Sequence, residues 1–154
     1  MTKFLLSVHV LAAIVAIGPV TVAASMFPRM ARRALAESGT DRDLAVLHSL
    51  HRICRVYAAV GIVVPVFGLA TASSLGVLGD AWLITSIALT TAAAGVLVLL
   101  VLPRQARILG PVAAGPDVDT RGPARLAMYT GMFNILWAVV TVLMIVRPGS
   151  TTGV

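Results

Sequence analysis

The sequence predicts an all-α membrane protein, a four-helix bundle with both termini on the outer side, and three observations lead there. Hydrophobic residues make up 58% of the 154-residue chain and charged residues 12%, with a mean hydropathy of +0.97. A soluble domain is about a quarter charged, and a chain this short has no soluble way to hide so much apolar surface. Uncharged stretches recur four times, at about residues 4–26, 56–78, 81–102 and 126–146. A helix of that length, roughly 35 Å for the first of them, covers the roughly 30 Å hydrocarbon core of a bilayer. The arginines lie between these stretches rather than within them.

The first span, FLLSVHVLAAIVAIGPVTVAASM, holds one ionisable group, His9, and one proline, Pro19. Its apolar run exceeds the roughly 7–15 residues of a secretory signal core, so it reads as a true span despite Lys3 before it and Ala23, Ala24 and Ser25 near its end. MARRALAES continues as helix into water, Gly39 ends it, and Thr40 or Asp41 caps a second helix that runs through DLAVLHSLHRICRVY into the second span. That span carries Gly61, Pro65 and Gly68, which predicts a kink near Pro65 and close helix approach at the glycines. Gly79-Asp80 is a short polar turn that makes spans two and three antiparallel neighbours. Span three opens on Trp82, an interfacial anchor. Its Ser86, Thr90 and Ala94 recur every four residues and share one face, a packing seam. Residues 103–125 are rich in proline and glycine and read as an irregular loop. Span four contains Tyr129, Asn134 and Trp137 and stops at Arg147-Pro148. The whole chain is one membrane domain.

Of twelve basic residues, six lie in residues 27–55 and four in 103–125, leaving Lys3 and Arg147 for the other side. The positive-inside rule places both long loops in the cytoplasm. The net charge of +6 therefore belongs to topology and to anionic headgroups, with Arg29, Arg32, Arg33, Arg52, Arg55, Arg104 and Arg107 as the headgroup contacts. No aromatic-interleaved basic surface exists, which argues against nucleic acid.

His9 is the residue most suggestive of chemistry, because an ionisable side chain inside a span is expensive. Ala12, Ala13 and Ala16 lie on its side of the helix, so a flat ligand or another helix can approach. It reads as a haem or metal ligand, a proton-handling group, or a neutral histidine bonded to a neighbouring helix. His48, His51 and Cys54 follow one another at helical spacing near the other membrane face and read as an interfacial helix face. Most of the bilayer separates them from His9, which excludes a shared bis-histidine haem; Met144 is the residue at the depth of His9. The lone cysteine, Cys54, permits no intrachain disulfide. Asn134 is a helix-to-helix hydrogen-bonding residue. No carboxylate lies within a span, and there is no phosphate loop, nucleophile elbow or zinc-protease motif. Without charges in the spans or an internal repeat, a transporter has little with which to move a polar substrate.

The first span with its histidine, KFLLSVHVLAAIVAIGP, the exit MFPRM, and the entry HRICRVYAAVGIVVPVFGL resemble the start of the small four-helix HemJ/CopD-like membrane proteins. AWLITSIALTTAAAGVLVLLVLPRQAR and LMIVRPG are similar to a bacterial family of predicted integral membrane proteins of unknown function, and that similarity covers nearly the whole chain. The HemJ resemblance implies a protoporphyrinogen oxidase in which His9 matches the haem-associated histidine. The essential lysine of that family's third span has no counterpart in WLITSIAL, where Ser86 stands. A CopD-like copper role would want further Met or His ligands near the outer face, where they are sparse.

The expectation from these readings is a non-catalytic, multi-pass protein of a bacterial plasma membrane, an accessory subunit of a larger membrane complex. Its packing or partner contacts are Ala12, Ala13, Ala16, Gly61, Gly68, Ser86, Thr90 and Asn134. The alternatives are a haem- or small-molecule-binding protein using His9 and a HemJ-like oxidase; haem is the one cofactor these readings admit.

Overall fold

The computed structural model describes residues 2–36, 40–110 and 121–149, and every element in them is helical. Four helical stretches are long and apolar enough to cross a membrane. The first, α1 (Thr2–Ala34), is unbroken although Pro19 and Pro28 lie inside it. Arg32 and Arg33 sit in its last turn, where cations meet the negative end of the helix dipole. Gly39, the expected stop, lies outside the described residues.

The second stretch is two helices, α2 (Asp41–Val60) and α3 (Val63–Leu75). A capping box starts α2: the Asp43 backbone N–H donates to Thr40 Oγ1 at 3.3 Å, and the Thr40 backbone N–H returns a bond to Asp43 Oδ2 at 3.1 Å. The break falls at Gly61-Ile62, one turn before Pro65. Pro65 has no N–H for the Gly61 carbonyl, so the Val64 N–H takes that carbonyl at 3.1 Å in a tighter turn. Gly76 then ends α3 in the left-handed conformation (φ 70°) that glycine adopts without a Cβ penalty.

The third stretch is α4 (Ala81–Gly95), a π-helical turn (Val96–Val101) and α5 (Leu102–Leu109). Here the sequence reading is corrected: the segment from Pro103 to Leu109 is helix, not irregular loop. The widened turn absorbs the missing proline N–H, with the Leu102 N–H reaching back to the Leu97 carbonyl. The Arg104 guanidinium donates to the Leu100 carbonyl at 3.2 Å and satisfies another loosened acceptor. Residues 111–120 of the second connection lie outside the described residues. The last helix, α6 (Gly122–Val146), opens with Pro123 in its first turn, where no N–H is needed.

The hub is α1, which packs against α2, α3 and α6; α6 in turn carries α4 and the π turn, and α5 reaches α2. The main core lies toward the end that bears the two long connections. There Val20, Phe27, Leu47, Cys54, Val101 and Leu126 are buried. The opposite end has only a small cluster of Ala72, Trp82 and Leu83. Between these two points of contact α2–α3 and α4 part, so the spans joined by the short turn are not packed along their whole length. Large apolar side chains such as Phe4, Leu11 and Ile14 face outward along the first half of α1, as a bilayer-embedded surface requires.

Candidate functional site

Three polar arrangements and one cleft are the places where chemistry could occur. His9 leaves α1 toward the second span, and its Nδ1 lies 2.9 Å from the Val64 carbonyl oxygen. A carbonyl can only accept, so Nδ1 carries the proton and donates it. The contact depends on Gly68: a Cβ there would stand 2.9 Å from His9 Cε1. The sequence pattern that looked like a packing glycine is thus the recess for the imidazole. Sequence reasoning did not find Val64, because its contribution is a backbone oxygen beside a helix break. Ala16 is buried while Ala12 and Ala13 are half-buried, so the flank of α1 beside His9 is already partly taken by other helices. The ring's Nε2 makes no hydrogen bond among the described residues.

The second arrangement ties α2 to α5. His51 Nδ1 donates to Gln105 Oε1 at 3.0 Å, and Gln105 Nε2 lies 3.6 Å from Cys54 Sγ. Gln105 and Cys54 are fully buried. His51 is therefore not merely part of a solvated face, whereas His48 is exposed. Gln105 was missed in the sequence; the signal was an uncharged amide set among the arginines of PRQAR, where solubility alone would favour another charge. His51 and the Val64 clasp of His9 are thirteen residues apart along the second stretch, roughly 20 Å of helix, so the histidines do not converge. No group of three or more His, Cys, Asp or Glu suited to a metal ion occurs among the described residues.

The third arrangement joins α6 to α1. Asn134 Nδ2 donates to Ser25 Oγ at 3.1 Å. Asn134 Oδ1 and the nearby Thr130 Oγ1 are buried without a hydrogen-bond partner. On α4, Ser86 is buried and donates to the Trp82 carbonyl at 2.8 Å. Thr90 and Ala94, expected on the same seam, instead line an open cleft. Trp82 is anchored rather than loose: its Nε1 donates to Asp80 Oδ2 at 2.9 Å, and Arg147 lies over its ring at 5.6 Å.

Among the expected headgroup residues, Arg29, Arg32, Arg33, Arg52, Arg55 and Arg107 are exposed. Arg104 departs from that group. It lies 4.2 Å over the Tyr129 ring and bonds the Leu100 carbonyl, so its guanidinium is engaged inside the bundle. The cleft, of about 390 Å³, lies between α2–α3 and α4 with α1 and α6 behind it. Gly61, Pro65, Thr90 and Trp137 line its deeper part, and Arg55 stands at its edge. No family model, no curated protein and no solved structure matches the chain.

Proposed function

We propose that this chain is a non-catalytic subunit of a bacterial plasma membrane. It crosses four times with both termini outside and packs against a larger membrane assembly. The observation that carries this reading is the face where α1 meets α6. A Cβ at Gly18 or Gly131 would meet nothing within 4 Å, so each leaves bare backbone open toward a neighbour. Gly18 and Ser25 are seven residues apart and share a side of α1. Ser25 reaches Asn134, which lies about one turn from Gly131. Small residues beside a polar pair are what close membrane-helix contacts use. The internal polar groups, by contrast, are spent on holding the bundle together. A tagged full chain in mild detergent should run on native gels well above the mass of one 16.0 kDa chain. Gly18→Leu and Gly131→Leu should abolish the larger species with helix content unchanged. A wild-type chain that always runs alone overturns the reading.

One observation favours a second reading, a haem- or small-molecule site at His9. A histidine that donates Nδ1–H to a backbone carbonyl and keeps Nε2 free has the orientation of a ligating imidazole. Haem would use Nε2 of His9 as an axial ligand. A Soret band in purified membranes, lost in His9→Ala, supports this; its absence removes the haem form. Rescue of a strain lacking protoporphyrinogen oxidase would be needed to extend it to the oxidase.

A further inference from the structure

Arg55 is exposed at the first residue before the uncharged run of the second span, where the hydropathy places the membrane boundary. It makes no hydrogen bond or ion pair among the described residues. Beside it the cleft runs along α2 and α3 from Arg55 to Pro65. Ten residues of helix are about 15 Å, the hydrocarbon depth of one leaflet. The lining is apolar apart from Arg55 and the Thr90 hydroxyl, and small side chains (Ala58, Ala59, Gly61, Ala94) hollow it out. The cleft persists because spans two and three touch only at its two ends, through the Ala72–Trp82–Leu83 cluster and through Gln105 with His51 and Cys54.

Size decides between occupants. A ten-residue helix about 10 Å across occupies roughly 1,200 Å³, about three times the cleft of about 390 Å³. One extended acyl chain suits both the length and the volume. We propose that this cleft is a binding site for an anionic phospholipid of the surrounding bilayer, with its phosphate on the Arg55 guanidinium and one acyl chain laid along the cleft past Trp137. A guanidinium presents its donors in a planar fork that matches phosphate oxygens, and the second acyl chain stays in the bilayer. The site does not depend on the α1–α6 face.

Trp137 makes the test direct, since the chain has two tryptophans and Trp82→Phe leaves Trp137 as the reporter. The full chain is reconstituted in phosphatidylcholine vesicles containing one tenth phosphatidylglycerol, with bromine on the acyl chains of one lipid at a time. Brominated phosphatidylglycerol should quench Trp137 about five-fold more than its share of the lipid predicts, the preference expected for one arginine near the membrane surface. Arg55→Gln should bring the preference to one. Arg52→Gln, one turn earlier and outside the cleft, should leave it unchanged. Ala94→Phe, which fills the cleft, should reduce quenching by both lipids. Because Trp82 is itself anchored, native mass spectrometry of the wild-type chain provides a second measurement, with one phosphatidylglycerol retained and lost in Arg55→Gln. Equal quenching by the two lipids overturns the proposal. So does a preference that survives Arg55→Gln, or quenching that disappears as protein density rises, which would mean that a second copy covers the cleft.

Discussion

The two ends of the bundle are built differently. At the end with the long connections, four helices close on Phe27, Leu47, Val101 and Leu126, and a buried amide ties α2 to α5. At the other end α1 shows Phe4, Leu11 and Ile14 outward, and a small cluster around Trp82 suffices. Both spans that carry an internal proline between these ends had to solve the same problem, a missing N–H. In the third stretch a widened turn and the Arg104 guanidinium recover the loosened carbonyls, and the helix goes on. In the second stretch the ladder is broken at Gly61-Ile62, and the imidazole of His9 docks on the Val64 carbonyl one turn further along. The tight end therefore acts as the fixed base of the molecule, and the looser end holds together through individual polar clasps.

Substitutions should separate the two ends. Phe27→Ala empties a fully buried position and should cost about 3–5 kcal/mol. Unfolding in mixed micelles by a denaturing detergent reads it, and a cost under about 1 kcal/mol would show the base to be no tighter than the rest. Gln105→Leu leaves the His51 Nδ1–H without its partner and should cost about 1–3 kcal/mol by the same measurement. Gly68→Ala forces the His9 ring away and should cost about 1 kcal/mol, with most of that cost relieved in a His9→Ala background. Additive losses in that double-mutant cycle would mean that the recess and the ring are unrelated. Phe4→Ala, at a position 70% exposed, should stay within about 0.5 kcal/mol.

Much of the architecture was readable because hydropathy is a property of whole stretches. The four apolar runs, the Thr40 cap and the interruption near Pro65 could each be seen in the residues themselves. The His9 clasp could not, since its acceptor is a backbone oxygen whose availability depends on how two helices cross. The helix beyond Pro103 was hidden by local composition: prolines and glycines later in the connection made the whole segment look irregular, and nothing in VLVLLV announces a wider turn. Gln105 was hidden for the same reason, as its burial follows only once that helix exists. Arg104 shows the limit of reading cations by position. Its neighbours face outward as expected, while Tyr129, twenty-five residues away, draws it across the bundle surface.

The widened turn at Val96–Val101 also sets the rotational phase of everything after it. Each residue of an α-helix turns the chain by about 100°. Excising a single leucine from LVLLV would swing the amide at 105 and the guanidinium at 104 by about a quarter of a circle or more. The amide would then point at lipid and the strap between α2 and α5 would come undone. One apolar residue, with no polar atom in its side chain, thus decides whether the far ends of the second and third spans stay joined.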